Sequence, residues 1–422
     1  MAGADIKEFT VFGLKMWQQV LICLILGVIT GLVLKENAAP LKIFGTIFID
    51  LIKMVVVPLI FLALASGITS MAGSANFKRV GLKGIVAYLF TALVAVVIGL
   101  GAGILFHPGT GLEVNINEFA SAGNSATPAA PPMNVQDFLL NLISPNIFKS
   151  FTDANLLQVV VFSIMFALTV NSMGGKSARV RELIHDFALV IFKMIEYIVR
   201  LAPLAVFGYM AWTVGTQGVK ILQVLIYMVA AVLTACALQY ALLGVFIAVF
   251  ARLNPFPFYR KLVTTQVMAF STSSSKATLT TAMRETETKL GVSAQICQFI
   301  LPLGAAVNMS GTAIYLAICA LFFAQFFGIT LHNADYAMLL VTCTLGSIGA
   351  AGIPSGSIIF MGMVLNSVGL PIEGIGLILG VDRILDMVRT MINITGDCAI
   401  TLIIDASEKT LNKDVYYSKA SS

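Results

Sequence analysis

Long apolar segments recur along this chain, and they decide what it can fold into. Segments 16–34, 43–68 and 85–106 are each about the 20 residues that a membrane-spanning helix needs. In the whole sequence the AVILMFWYC set makes up 58% of residues and charged residues only 11%, whereas soluble domains carry about 25% charged residues. The sequence therefore predicts an all-α polytopic membrane protein, with room for about eight transmembrane helices.

One stretch near the carboxyl end, 382–397, combines this apolar character with many polar groups. Read as a helix, its polar residues follow a spacing that puts them within an arc of about 100°. Ionisable groups in a membrane helix usually face the protein interior or a water-filled site, so this polar face is predicted to bind a small charged ligand. The alternative, a surface helix of a soluble protein, conflicts with the composition. The residues of the face are Asp382, Asp386, Arg389, Thr390, Asn393 and Asp397.

The remaining apolar segments and the basic residues predict the topology. Further segments lie at 138–170, which is broken, and at 187–214, 222–250 and 296–327. Lys and Arg cluster between and beyond the spans at 78–83, 176–181, 252–261, 284–289 and 409–419, whereas 107–133 and 329–337 contain neither. Because basic loops stay on the cytoplasmic side, we expect both termini in the cytoplasm, 107–133 outside, and the chain in the cell (inner or plasma) membrane.

Two apolar stretches are interrupted in a way that ordinary spanning helices are not. A serine run at 271–275 has basic residues on both sides, which predicts a re-entrant hairpin that enters and leaves on one side. The Gly-, Ser- and Pro-rich segment 346–357 splits 336–370, whose flanks lack basic residues, so a second hairpin is predicted to open on the other side. Segment 296–327 is interrupted by Gly304 and by 308–312. Oppositely oriented hairpins beside interrupted helices indicate inverted repeats with a site at mid-membrane.

Four motifs carry a resemblance to a known family: Ser-Thr-Ser-Ser-Ser at 271–275, Asn-Met-Ser-Gly-Thr at 308–312, Gly-Ile-Pro-Ser-Gly at 352–356, and the run from Asp386 to Asp397. With them the chain resembles prokaryotic members of the glutamate/aspartate transporter family, the dicarboxylate/amino acid:cation symporters. The resemblance implies a homotrimer of elevator-type transporters. Its static scaffold would be 1–75 and 107–215, and its mobile transport domain 76–106 and 216–422. The mobile part would include hairpins at 258–286 and 336–370 and a last span at 374–405.

The polar face matches an acidic amino acid. Arg389 offers a planar fork for a side-chain carboxylate, Asp386 can hold an α-ammonium group, and Asn393 with hairpin amides can hold the α-carboxylate. The alternative for Arg389 is a structural salt bridge with Asp386 or Asp382. Asp382 is expected to position the binding residues without contacting the substrate itself. The resemblance adds further lining residues, namely Thr312, Thr390, Ser273, Ser274, Ser275, Gly352 and Ile353.

The resemblance also implies sodium sites built from oxygen ligands, which hard cations prefer. The first would use the side chains of Asp397 and Asn393 and the carbonyl groups of Gly304 and Asn308. The second would lie at the second hairpin, near Ser347, Ile348 and Ala350, together with Met309. Tyr88 and Thr91 match a third, buried site.

Three residues depart from the family pattern. Ser310 stands where the family usually has an aspartate, Ala92 where a hydroxyl is commoner, and Lys276 where relatives have serine or an acid. One hypothesis is that the third sodium site is lost or altered and that the Lys276 ammonium partly replaces a cation. The alternative is that Lys276 reaches toward cytoplasmic water from the hairpin tip.

These observations predict a secondary active transporter of L-aspartate or L-glutamate, coupled to sodium ions that number fewer than three if the altered site is lost. A proton-coupled or weakly sodium-coupled carrier of a related dicarboxylate is the alternative within the same fold, and a channel or receptor-like protein belongs to another class. Neither a Ser-His nor a metal constellation points to an enzyme. The net charge of +5, spread over loops, does not suggest nucleic acid.

Overall fold

The computed structural model describes residues 14, 16–69, 78–111, 143–153, 155–349 and 356–418 of the chain. In this part the regular elements are helices, and five helical stretches are long and apolar enough to cross a membrane. They are Met16–Thr69, Arg79–Phe106, Lys220–Ala251, Ala294–Phe326 and Ile375–Glu408. The chain is therefore a multi-pass membrane protein, as its composition predicts.

The helices in chain order are α1 (Met16–Leu34), α2 (Lys42–Thr69), α3 (Lys78–Phe106), α4 (Ile147–Thr152), α5 (Leu156–Ser172), α6 (Ala178–Val199), α7 (Ala202–Gln217), α8 (Lys220–Phe246), α9 (Phe256–Lys261), α10 (Val263–Thr272), α11 (Ser275–Thr288), α12 (Ala294–Val307), α13 (Ser310–Phe326), α14 (Asn333–Gly349), α15 (Gly356–Ser367), α16 (Ile375–Glu408) and α17 (Lys413–Tyr417). A 3₁₀ segment, Lys35–Leu41, joins α1 to α2, and a π-helical turn, Ile247–Ala251, ends α8.

Close packing of α1 against α7 depends on glycine. A Cβ on Gly27 would come within 2.7 Å of the Phe207 carbonyl oxygen, and one on Gly31 within 2.6 Å of the Ala211 carbonyl oxygen. Small residues at a helix interface allow two backbones to approach in this way, which favours association inside a membrane. These two glycines therefore allow α1 to pack closely against α7.

The prediction of one continuous span at 187–214 is wrong. The structure has two helices there, α6 and α7, which meet at Arg200 and Leu201. Pro203 lies in the first turn of α7, where it lacks the N–H group that would continue the hydrogen bonding of α6. The apolar pattern of the sequence continues through this proline and so conceals the break.

The first hairpin divides where the serine run predicts. Its arms are α10 and α11, and Ser273 between them has a φ of 50°, in the left-handed region. The Ser274 side chain then caps α11 by accepting a hydrogen bond from the backbone N–H of Ala277 at 3.3 Å. A left-handed residue followed by an N-cap turns the chain back on itself.

The next interrupted helix breaks at one place, not at the two that the sequence suggests. Helix α12 runs through Gly304 without a break, and the chain leaves helical geometry only at Asn308 and Met309 before α13 begins. Gly304 serves close packing instead, because a Cβ there would come within 2.5 Å of the Tyr88 hydroxyl. The two arms expected at 336–370 are α14 and α15, and the tip between them lies outside the described residues.

Helices α13 and α16 cross in the core and position the site. Nearly all of α13 is buried, as is most of α16. Gly311 allows the crossing, because a Cβ on it would come within 2.7 Å of the Arg389 carbonyl oxygen. Just at this crossing α13 begins and the polar face of α16 turns inward.

Candidate functional site

The polar face of α16 is buried. Asp382, Asp386 and Arg389 are 1%, 6% and 0% exposed, and the rest of the face is equally covered. A 34-residue helix brings these groups together, because residues three and four apart share one side. The other members of the face, Thr390, Asn393 and Asp397, are also buried.

Arg389 holds two carboxylates at once. Its Nη2 donates to Asp382 Oδ1 at 2.8 Å and to Asp386 Oδ1 at 2.9 Å. The guanidinium also lies 3.8 Å from the centre of the Tyr315 ring, in a cation–π contact. These are the contacts that the salt-bridge alternative predicts. They leave the Nε and Nη1 atoms of Arg389 without a hydrogen-bond partner, so the guanidinium retains donors for a further anion.

Asn393 connects the polar face to the start of α13. Its Oδ1 accepts a hydrogen bond from the Gly311 backbone N–H at 2.7 Å, and its Nδ2 lies 3.3 Å from Met309 Sδ. Thr312 follows in the first turn of α13 and is buried. The structure thus brings Asn393, Met309 and Thr312 to one place, although the sequence assigned Met309 to a separate sodium site.

The tip of the first hairpin contributes buried hydroxyl groups. Ser273 and Ser275 are each 1% exposed, and their Oγ atoms have no hydrogen-bond partner. Ser274, between them, caps α11. Both arms of the hairpin pack on α16, and a buried hydroxyl without a partner is costly, so the tip has unused hydrogen-bonding capacity.

Asp397 lies in an oxygen-rich setting. It is 0% exposed, and its Oδ1 accepts a hydrogen bond from Asn308 Nδ2 at 2.8 Å. Thr91 Oγ1 lies 3.3 Å from Asn308 Oδ1, and a Cβ on Gly304 would meet Asp397 Oδ1 at 2.6 Å. Asp397 Oδ2 has no partner. An anionic oxygen without a partner among carbonyl and amide oxygens suits a hard monovalent cation.

The third sodium site that the resemblance implies would lie between α3 and the start of α13. Tyr88, Thr91 and Ala92 are each 1% exposed on α3, and Ser310 opens α13. The Tyr88 hydroxyl donates to the Ile300 carbonyl oxygen at 3.0 Å, and the Ser310 hydroxyl has no partner. Ser310 is neutral where the family pattern has a carboxylate, and the acid near Tyr88 is Asp397, since a Cβ on Gly304 would meet both side chains.

Lys276 lies on the side of α11 that meets α6. Its side chain is exposed in the single chain, and its Nζ lies 3.8 Å from the centre of the Phe192 ring. An ammonium that replaced a buried cation would have to lie beside Ser310. The contact with Phe192 decides neither interpretation, so the cation replacement and the reach toward cytoplasmic water both stay predictions.

The second hairpin is described only in part. Ser347 is buried and donates its hydroxyl to the Thr344 carbonyl oxygen at 2.7 Å, and Ile348 is half-buried. The other predicted residues of this hairpin, Ala350, Gly352 and Ile353, lie outside the described residues.

Two residues at the site escaped the sequence analysis. Tyr315 stacks on Arg389, and its only signal was its place one turn after Thr312. Arg383 lies 3.7 Å from Asp386 through Nη1 and Oδ2. Its spacing of i, i+3 from Asp386 was visible in the sequence, but it falls outside the arc of the polar face.

An interrupted helix, a split hairpin and buried charges that meet inside a helical membrane protein are typical of transporters. The chain belongs to the sodium:dicarboxylate symporter family, whose family model matches residues 16–407. Members of this family carry their substrate together with sodium ions, protons or both, so the chain is a transporter and not an enzyme.

Similar proteins come from several bacteria. The "C4-dicarboxylate transport protein 1" of Ralstonia nicotianae is 33% identical over 404 residues, which cover 94% of this chain and 93% of that protein. The "C4-dicarboxylate transport protein" of Anaeromyxobacter sp. (strain K) is 32% identical, with coverage of 94% and 91%. The "Proton/sodium-glutamate symport protein" of Bacillus caldotenax is 32% identical, with coverage of 94% and 95%.

Proposed function

We propose that this transporter carries L-aspartate or L-glutamate by sodium symport. One observation carries the proposal: Asp386 and Arg389 lie side by side on a buried helix face, and Arg389 has nitrogen donors that its two carboxylate partners leave unused. An amino-dicarboxylate presents one ammonium and two carboxylates. An acid and a base in contact can recognise an ammonium and a carboxylate on the same small molecule.

The second carboxylate needs further donors. We expect Asn393 and the tip of the first hairpin, at Ser274 and Ser275, to supply amide and hydroxyl groups, since both arms of that hairpin pack on α16. Thr312 and Thr390 add hydroxyl groups to the same buried region. The polar face of α16 would then hold one end of the substrate and the hairpin tip the other.

Sodium is a co-substrate in this proposal. The unpartnered Asp397 Oδ2, with Asn308 and the backbone of Gly304 beside it, is the group we expect to bind the first ion. A second ion would bind near Ser347 and Met309 at the second hairpin. A cation bound at Asp397 would offset the cost of burying that carboxylate. Ion binding would thereby stabilise the arrangement of α16 that receives the substrate, which couples the ion to the substrate.

The wider mechanism follows the resemblance. The segments 76–106 and 216–422 would move as a transport domain against a scaffold of 1–75 and 107–215, three copies would assemble as a homotrimer, and both termini would face the cytoplasm of the cell membrane. The two hairpins would close the site on either side during alternating access.

A second candidate function is proton-coupled or weakly sodium-coupled transport of a related dicarboxylate. It is favoured by Ser310, a neutral buried residue where the family pattern has an acid. If the third site is lost, substrate affinity should depend on sodium with an apparent order of about two or less, as mass action requires for fewer coupled ions. A steeper, three-ion dependence would rule that loss out.

Counterflow in proteoliposomes tests the proposed function. Vesicles loaded with unlabelled L-aspartate should accumulate labelled L-aspartate transiently in the presence of sodium, because a carrier exchanges substrate across the membrane. The same vesicles loaded with succinate distinguish an amino acid carrier from a plain dicarboxylate carrier. Flux that does not saturate and shows no exchange would contradict a carrier and indicate a pore.

A further inference from the structure

Arg383 is a charged residue of α16 that the proposed function leaves without a role. Its side chain is only 12% exposed, and its Nη1 lies 3.7 Å from Asp386 Oδ2, beyond hydrogen-bonding distance. Its Nε and Nη1 atoms have no hydrogen-bond partner. Burial of guanidinium N–H groups without partners costs free energy, so Arg383 carries a charge that no fixed hydrogen bond from these two atoms compensates.

Asp386 lies between two cations. Its Oδ1 accepts a hydrogen bond from Arg389 Nη2 at 2.9 Å, and its Oδ2 faces Arg383. Asp382 also accepts from Arg389, so the four charges of this cluster sum to zero. A substrate ammonium that approaches Asp386 must therefore compete with the field of both arginines, since a nearby like charge disfavours a second cation.

Arg383 also borders a small cavity. Together with Asp382 it lines a void with room for about one water molecule, whose other walls are apolar side chains of α1, α2, α6, α7, α15 and α16. The cavity is too small to receive the guanidinium, so Arg383 stays near Asp386. Its charge therefore acts on Asp386 across the 3.7 Å gap without a fixed hydrogen bond.

We propose that Arg383 is a specificity-determining residue that competes with the substrate's ammonium group for Asp386. Its charge disfavours amino-dicarboxylates and favours dicarboxylates that lack an amine. The inference rests on the proposed function, in which Asp386 receives the ammonium. Loss of the Arg383 charge should change the affinities for the two kinds of substrate in opposite directions. The ammonium group of an amino-dicarboxylate would no longer compete with Arg383 for Asp386, so its affinity rises. A dicarboxylate without an amine would lose a nearby cation, so its affinity falls.

The test compares L-aspartate with succinate, which has the same two carboxylates but no amine. Both dissociation constants are measured by calorimetric titration of purified transporter at saturating sodium, in wild type, Arg383→Gln and Arg383→Met. Both neutral variants should raise the ratio of aspartate to succinate affinity about tenfold, as expected for the removal of one charge near a partly buried site. Arg383→Lys keeps the charge and should stay within about threefold of the wild-type ratio.

The outcomes separate this inference from the proposed function. A wild type that binds neither compound contradicts the proposed function itself. A wild type that binds L-aspartate while the neutral variants leave the ratio unchanged overturns only the role of Arg383. A merely structural role is also distinguishable, because it would weaken both affinities by the same factor and leave their ratio where it was.

Discussion

The carboxylate of Asp397 is fully buried in α16, and only one of its two oxygens has a hydrogen-bond partner. Asn308 Nδ2 donates to Oδ1 at 2.8 Å, while Oδ2 has no partner. A buried charge that is incompletely compensated destabilises a fold by several kcal/mol. Selection for stability alone would not favour such a group, so its presence fits a residue that binds a cation during the transport cycle.

Asp397→Asn should therefore weaken sodium binding without unfolding the protein. We expect at least a tenfold loss in the sodium affinity that supports substrate binding, because the amide removes the anionic ligand. The melting temperature in sodium-free buffer should stay the same or rise, since a buried charge is gone. Sodium titrations of substrate binding and thermal melts measure the two effects.

Asp186→Asn is the matched control, because Asp186 is an exposed carboxylate on α6. It should leave both the sodium titration and the melt unchanged. If Asp397→Asn retains wild-type sodium dependence, Asp397 does not bind the coupling ion.

Among the helices, α12 comes close to Asp397, the proposed cation ligand, because Gly304 has no side chain. A Cβ at Gly304 would come within 2.5 Å of the Tyr88 hydroxyl and 2.6 Å of Asp397 Oδ1. Distances this short force neighbouring groups to move. The contact between α3, α12 and α16 thus depends on this one glycine.

Gly304→Ala should lower stability and sodium affinity together. Overpacking of a tight core costs about 1–3 kcal/mol, and the displaced groups include Asp397. Gly101→Ala in α3 is the control, because a Cβ there meets nothing within 4 Å. If Gly304→Ala and Gly101→Ala have the same melting temperature and the same sodium affinity, the close packing at Gly304 does not matter for stability or for sodium binding.

The sequence predicted the elements better than their contacts. Serine repeats and the Asn308 motif placed both helix breaks, because such residues favour turns and caps over lipid-facing helix. The apolar run through Pro203 concealed the break between α6 and α7. Periodicity put Asp386 and Arg389 on one face but could not decide whether they bind each other, and it left Arg383 outside that face, since side-chain directions depend on tertiary packing.

Across the whole molecule, the carboxyl-terminal helix α17 fastens the base of the first hairpin. Lys261 is 5% exposed, and its Nζ donates to the carbonyl oxygens of Lys289, Val415 and Tyr416 at 2.9, 2.6 and 2.8 Å. The Tyr416 hydroxyl donates to the Asn254 carbonyl oxygen at 2.7 Å. Residues distant in sequence thereby hold the open ends of α10 and α11 together.

Lys261→Met should loosen this base. The variant removes the hydrogen-bond donor from three carbonyl groups, of which that of Tyr416 is buried and the other two are half-buried. A buried acceptor left unsatisfied costs about 1–3 kcal/mol. We expect a melting temperature lower by about 5 °C or more, with faster proteolysis near residue 289. Arg260→Met, which changes the exposed neighbour, is the control and should have little effect. Equal melts for the two variants would show that α17 does not stabilise the hairpin.

In the proposed function, the Arg389 guanidinium binds a substrate carboxylate beside Asp386. Calorimetric titration of L-aspartate into Arg389→Lys, alongside wild type at saturating sodium, tests this role, because lysine keeps the charge that balances Asp382 and Asp386 but loses the planar fork. We expect the folded variant to lose about a hundredfold or more in affinity for L-aspartate, in line with a lost charge-assisted contact. Wild-type affinity for L-aspartate in that variant would show that the guanidinium does not bind the substrate.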